Sequence, residues 1–193
     1  MYHIRGVAMG PLETKTKHYI LKVENETKAK NVLDLYLRNK LAFEKFEPTR
    51  PINFYTIDYH TAMLSRERKA YLDGSFVRYY IYSPSNPNRI IGAVNFNFYF
   101  KLNMSYSEIG YKVDSLYQNQ GIAYEVLSHL IPLISSAYGI NVFHARIHPE
   151  NYSSIRLATK LGFQVGRVEP KSANIMGKDE DIVRYCLITS QTQ

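Results

Sequence analysis

Tyr117-Gln118-Asn119-Gln120-Gly121-Ile122-Ala123 lies between two segments of different periodicity, and that change decides how the surrounding chain folds. Upstream, Ile109, Tyr111 and Val113 alternate with Gly110, Lys112 and Asp114, the period of a strand with one buried face. Downstream, Ala123, Leu127, Leu130, Ile134 and Ala137 recur at spacings of three and four, which places them on one face of a helix starting near Gly121. A helix start leaves backbone N–H groups without intrahelical acceptors and sets the positive end of the dipole behind them, so this turn suits an anion such as a pyrophosphate. Gly121 lets the backbone come close, and Ala123 keeps the rim low. Glycine at a strand-to-helix turn is common, so the reading needs a second segment.

That segment is His148-Pro149-Glu150-Asn151-Tyr152-Ser153-Ser154-Ile155-Arg156-Leu157-Ala158-Thr159-Lys160-Leu161-Gly162-Phe163. It follows a strand over Val142 to Ile147 and holds a short amphipathic helix, capped by Asn151 and closed by Lys160 and Gly162. The two segments together resemble the GCN5-related N-acetyltransferase (GNAT) superfamily. Its loop reads Gln or Arg, two residues, Gly, one residue, then Gly or Ala, as do Gln118, Gly121 and Ala123. Within it the chain is similar to the RimJ/RimL-type N-acetyltransferases, which carry an Asn, a Ser three residues on, and a Lys-x-Gly-Phe ending. Asn151, Ser154 and Lys160-Leu161-Gly162-Phe163 sit at those spacings. Ser107 to Tyr111 looks like the family's fourth strand and Asp181 to Leu187 like its last, so the likeness runs from about Pro11 to Ile188.

The resemblance implies an α/β (α+β) domain: a mixed, mostly antiparallel sheet of about seven strands with about four helices. Its central parallel strands, around Tyr111 and Phe143, would splay to admit the pantetheine arm of acetyl-CoA, the implied cosubstrate. The coenzyme would then be held by Tyr111, Lys112 and Val113 on the strand, by Gln118, Asn119, Gln120, Gly121, Ile122 and Ala123 in the loop, and by Asn151 and Lys160. Glu108 is implied as the acceptor of the amine proton, usually through water, and a backbone N–H near Lys112 or Val113, where the strand bulges, as the oxyanion donor. Many relatives use a tyrosine seven residues after the asparagine to protonate the thiolate. Here that position is Ala158, and the RimJ/RimL pattern implies Ser154 instead, whose hydroxyl can donate directly or orient a water. Asn119 stands where many relatives have glycine, a departure asparagine tolerates because it adopts left-handed angles readily. Phe46, Glu47 and Tyr55 are candidates for the acceptor pocket. The implied acceptor is a protein or peptide N-terminal amine, that of a ribosomal or another protein. Small amines such as antibiotics or polyamines, and a non-catalytic acyl-CoA-binding or ribosome-binding module, are the alternatives. An α-amine ionises at about pH 8 against about 10.4 for lysine, so it needs little help from a base.

Composition fits one soluble domain. The 193 residues are 45% hydrophobic and 21% charged, with no low-complexity break. We expect an irregular lead-in over 1–11, with Met9 as an alternative start, a domain over 12–188 and a tail over 189–193. No signal-peptide core or membrane-length apolar run is present, and Cys186 is the single cysteine, so a cytoplasmic protein without an internal disulfide is expected, as monomer or homodimer. The net charge of +7 suits an anionic ligand or an RNA-rich setting. Without a basic run, or Arg interleaved with aromatics, direct nucleic-acid binding is not expected. His144 and His148 share a strand face but lack further ligands at metal spacing, so no metal is expected.

Along the chain, a strand is expected over His18 to Val23, then a helix from about Lys28 with Val32, Leu33, Tyr36, Leu37 and Leu41, ended by Pro48. Thr56 caps a second helix that turns Tyr59, Met63 and Ala70 inward and stops at Asp73-Gly74. Strands follow over Phe76 to Ser83 and Ile90 to Phe100, joined by a turn at Pro84 to Asn88. In the latter, Val94, Phe96, Phe98 and Phe100 share one face, with Asn95 and Asn97 on the other. Pro132 should kink the helix after the loop, at roughly 3 kcal/mol if unrelieved.

Overall fold

The period-two segments pair into one sheet in the computed structural model, which describes residues 9–101 and 104–189. The strands are β1 (Glu13–Lys15), β2 (Ile20–Lys22), β3 (Phe76–Ser83), β4 (Asn86–Lys101), β5 (Met104–Val113), β6 (Val142–Ile147), β7 (Gln164–Ile175) and β8 (Lys178–Ile188). Their spatial order is β1-β2-β3-β4-β5-β6-β8-β7, with every pairing antiparallel except β5 with β6. The helices are α1 (Ala29–Arg38), α2 (Lys40–Glu44), α3 (Ile57–Leu72), α4 (Ile122–Tyr138) and α5 (Tyr152–Lys160). Eight strands and five α-helices thus replace the expected seven and four. The extra strand, β1, is a three-residue edge whose Glu13, Thr14 and Lys15 carry no apolar alternation. The extra helix arises because the chain turns at Asn39, dividing one expected helix into α1 and α2.

Two hydrophobic clusters sandwich the sheet. On one face, α4 packs Val126, Leu127, Leu130, Ile131 and Ile134 against Val77, Ile81, Phe96, Ile109 and Phe143. Leu130 and Ile134 are fully buried, and each contributes roughly 1.5–3 kcal/mol by leaving water. Ala123 and Ala137, assigned to this face by spacing, sit half-buried at its margin. The helix runs continuously through Pro132, whose ring lies on the exposed side, so the core stripe is not interrupted. On the other face, α1 and α3 pack Val32, Leu35, Tyr36, Met63 and Leu64 on Tyr80, Tyr82, Ile90 and Ala93. Thr56 caps α3 as expected, accepting from the Tyr59 N–H at 3.2 Å. Phe100, grouped by parity with the core face of β4, is exposed at the strand's end.

Part of the expected lead-in is built into the core. Gly10 is buried; its carbonyl accepts from the Tyr71 hydroxyl at 2.7 Å, and the Tyr79 hydroxyl donates to the Pro11 carbonyl at 2.8 Å. A Cβ at Gly10 would lie 2.9 Å from that Tyr79 oxygen, so glycine is required for close approach. The alternative start at Met9 concerns residues 1–8, which lie outside the described residues, as do residues 190–193 of the expected tail. Among the described residues no helix is long and apolar enough to cross a membrane.

Candidate active site

The loop between β5 and α4 is pinned before it reaches the helix. Asp114, 1% exposed, accepts from Arg38 Nε at 2.6 Å and from the Leu116 N–H at 3.1 Å. Burial pushes its carboxyl up, but the hydrogen bonds from Arg38 and Leu116 outweigh that and hold it below the usual value. Buried Asn39 accepts from both the N–H and the hydroxyl of Ser115, at 2.8 and 2.9 Å. From that anchor the chain makes a single 3-10 turn over Ser115–Tyr117 and then two left-handed steps, Asn119 at φ 61° and Gly121 at φ 80°. Open space surrounds Gly121, so its need for glycine is conformational. The first helical bond runs from the Glu125 N–H to the Gly121 carbonyl at 3.0 Å, leaving the amides of Ile122, Ala123 and Tyr124 ahead of any intrahelical acceptor. Gln118 and Gln120 turn back on the loop, donating to the Val113 and Leu116 carbonyls at 3.2 Å each. Lys160, at the end of α5, brings its ammonium 4.1 Å from the Tyr124 ring centre, placing a cation beside this helix start.

β5 and β6 pair only from Ser107–Phe143 to Ile109–Ala145 and then part. This is the expected splay. The β4–β5 ladder keeps one register from Gly92–Val113 to Lys101–Met104, so the expected bulge is absent. Its alternation decides which amides face the opening. The Asp114 N–H bonds the Ile91 carbonyl at 2.9 Å, so by the two-residue repeat the Lys112 N–H points to β4 while those of Tyr111 and Val113 point to the gap. Of the two oxyanion donors expected, Val113 keeps the geometry and Lys112 does not. Across the gap, the Tyr111 hydroxyl donates to the Ser154 carbonyl at 3.2 Å. Asn151 caps α5 through the Ser154 N–H at 3.2 Å, while the Ser154 hydroxyl faces the Tyr111 phenol and makes no bond back to the preceding turn among the described residues. By contrast Thr61, in α3, spends its hydroxyl on the carbonyl of Ile57.

A strand-to-helix loop with free amides, set beside parallel strands that part, is a cradle for a phosphate-bearing thioester. The family model for the GNAT acetyltransferase domain matches residues 26–164. The chain belongs to the GNAT acetyltransferase family. Relatives of this GNAT chain include the probable N-acetyltransferase YjcK of Bacillus subtilis, 24% identical over 80% of this chain and 85% of its own. Another is the [ribosomal protein uS5]-alanine N-acetyltransferase of Escherichia coli, 23% identical over 77% of this chain and 76% of its own. The fold is shared with ribosomal-protein-S5-alanine acetyltransferase of Vibrio fischeri, at TM-score 0.87 and 21% identity over 95% of this chain and all of that one. It is also shared with Mycobacterium smegmatis RimJ solved with CoA-disulfide, at TM-score 0.83 and 17% identity over 90% and 83%.

The second face of the GNAT sheet is covered by α1 and α3 only over β2–β4, which leaves Asn97, Glu108, His144, Arg146 and Arg184 on its open half. Glu108 is half-buried, with Asn97 and His144 opposite it on its two neighbours. A Cβ at Gly110 would meet Asn95 Oδ1 at 2.8 Å, so Gly110 is what lets Asn95 lie across β5 between Glu108 and Lys112. The acceptor candidates have partners already. Glu47 takes Lys112 Nζ at 2.8 Å and a contact from Arg50; the Tyr55 hydroxyl donates to Glu44 at 2.6 Å; Phe46 packs 5.4 Å from His148. Glu47 thus meets internal cations, where a cationic amine was expected. Burial pushes the Lys112 ammonium down to about 8, opposed by Tyr36 and reinforced by Arg50 and Arg78. The Lys112 side chain and the Arg146–Arg184 pair were missed from sequence. Parity of β5 and β6 was the one signal that could have found them. No group of three or more His, Cys, Asp or Glu is placed to hold a metal among the described residues.

Proposed function

We propose that this N-acetyltransferase moves an acetyl group from acetyl-CoA to the α-amine of a protein N-terminus, by direct transfer with both substrates bound. One observation carries the reading: the gap between β5 and β6 opens beside a helix start with free amides, and the half-buried carboxylate of Glu108 sits just before the strands part, on the other face of the sheet. The amides of Ile122, Ala123 and Tyr124, with Lys160 beside them, hold the pyrophosphate. The Val113 N–H meets the oxygen of the thioester carbonyl as the amine nitrogen adds to its carbon. Glu108 takes the amine proton through water, the C–S bond breaks, and the Ser154 hydroxyl gives a proton to the departing sulfur and regains one from water. The relative named as a [ribosomal protein uS5]-alanine N-acetyltransferase supports a protein acceptor.

Intact-mass measurement of free and N-terminally blocked peptides incubated with acetyl-CoA tests this. Free peptides should gain one acetyl group and blocked ones none, with a wild-type rate levelling near pH 8, where an α-amine loses its proton. Glu108→Gln should slow the reaction most below that pH. Ser154→Ala should lower turnover far more than it weakens acetyl-CoA binding. Modification of blocked peptides alone, with a rate still climbing towards pH 10, would replace the α-amine with lysine or polyamine acceptors. Acetyl-CoA binding without transfer to any amine would leave a non-catalytic module.

A further inference from the structure

Beyond Glu108, the open half of the acceptor face gathers more guanidinium than carboxylate groups among the described residues. β6 continues past His144, opposite Glu108, to Arg146 two residues on, roughly 7 Å along the strand and on the same face. In the β6–β8 register Arg146 stands directly opposite Arg184. Like charges at facing positions destabilise a sheet unless an anion lies between them. Glu169 of β7 supplies one carboxylate: it accepts from Arg146 Nε at 2.9 Å and Arg184 Nε at 2.6 Å, and Arg167 reaches it at 3.4 Å. Three guanidinium groups therefore share one hydrogen-bonded carboxylate, and even with Glu108 acting on Arg184 across the face an excess of one positive charge is left among these groups. The donors are far from spent. Each guanidinium offers five N–H groups, and beyond Glu169 the only other partner among the described residues is Ser172, which takes two bonds from Arg146. A bridge built only to fasten β7 needs one cation. The side chains of Arg146, Arg184 and Arg167 are 31%, 22% and 74% exposed, so a ligand can reach them.

We propose that Arg146, Arg184 and Arg167 form an anion subsite on the acceptor face, which takes a side-chain carboxylate carried by the acceptor peptide a few residues from its N-terminus. The assignment rests on the α-amine reading above. With the amine at Glu108, an extended peptide advances roughly 3.3 Å per residue, so an acidic residue at the second to fourth position reaches the arginines. Bidentate guanidinium contacts to a carboxylate would make this a specificity-determining feature.

The test compares kcat/KM of the full-length protein for free N-terminal peptides that carry Glu or Gln at position two, three or four. A preference for Glu of tenfold or more is expected at one position. Arg167→Gln, at the exposed edge of the cluster, should cut that ratio at least threefold, and Arg184→Gln should abolish it. Glu169→Gln, which removes the internal competitor, should raise it. The same peptides, N-acetylated and fluorescently labelled, give a readout independent of transfer: the Glu form should bind the acetyl-CoA-saturated protein more tightly than the Gln form, and Arg167→Gln should remove the difference. Ratios within twofold at all three positions in the wild type, or unchanged by both arginine substitutions, would overturn the subsite while leaving α-amine transfer standing. Charge-selective binding without α-amine transfer would support the subsite and overturn only the acceptor reading; absence of both would overturn both.

Discussion

The two faces of the sheet bury different chemistry. Under α4 and α5 the buried side chains are Val, Ile, Leu, Ala and aromatics, with Ser107 among them and the Tyr71 and Tyr79 hydroxyls tied to the carbonyls of Gly10 and Pro11. Under α1 and α3 the same depth holds charge and imidazole. Arg78 pairs with Glu67, both about 15% exposed, and Lys112 pairs with Glu47 while its ammonium lies over Tyr36 and Phe43. His60, 0% exposed, stacks on Tyr36 with both ring nitrogens unpaired. A face that only holds a helix start and a strand gap in place can be largely apolar. The face proposed to meet the acceptor carries ionic groups into the fold, and pairing makes their burial tolerable.

The largest expected effect breaks the apolar side at its one functional edge. Gly121→Asp forces a residue with a Cβ to φ 80° and puts a negative charge at the proposed pyrophosphate site. Acetyl-CoA at a thousand times its dissociation constant should stabilise the wild type by about 4 kcal/mol, read as a rise in Tm, and the variant not at all. Equal shifts would remove this loop from the coenzyme site.

On the charged side, Glu67→Ala strands the Arg78 guanidinium and should cost about 3 kcal/mol or more in urea unfolding, as a broken buried pair does. Replacing both partners, as Glu67→Leu with Arg78→Met, should recover most of the loss, because no unpaired charge remains. A double variant as unstable as the single one would show that the pair, rather than its burial, sustains this face.

His60 sharpens the comparison through pH. Burial, with Arg50 and Arg78 nearby, pushes its pKa down to about 4. The folded ring therefore stays neutral while the unfolded one protonates near its ordinary value of about 6.5. Below that pH the unfolded state binds more protons, so stability falls between about 6.5 and 4 and the loss levels off beneath. His60→Phe should lack this component, gaining about 2 kcal/mol relative to wild type between pH 8 and pH 5. Parallel curves for the two proteins would mean that the ring has a partner and is not held neutral. The smallest effect returns to the apolar side: Pro132→Ala, on the exposed face of α4, should raise stability by about 1 kcal/mol or less, since the helix already runs through. A loss would show that the ring is packed.

Legibility followed pattern strength. The strand Phe76–Ser83, the α3 cap at Thr56, the α4 start at Gly121 and the α5 limits could be read because each joins a clear periodicity to a capping or left-handed residue. β1 could not be read, since Glu13, Thr14 and Lys15 become a strand only by pairing with Lys22, Leu21 and Ile20. Nor could the role of Gly10, which depends on tyrosines 61 and 128 residues away.

By itself the sequence determined the local elements, the phosphate-type turn and the face on which each strand residue falls, because these depend on spacing and on backbone angles within a few residues. Tertiary structure decided the rest. The unbroken β4–β5 register turned the Lys112 N–H away from the gap and left Val113 to face it. Packing of the α2–α3 segment gave Glu47 to Lys112 and Arg50, and the β6–β8–β7 register brought three arginines to one carboxylate. Register and packing join residues tens of positions apart, and periodicity within one segment says nothing about which residue of another segment it will face.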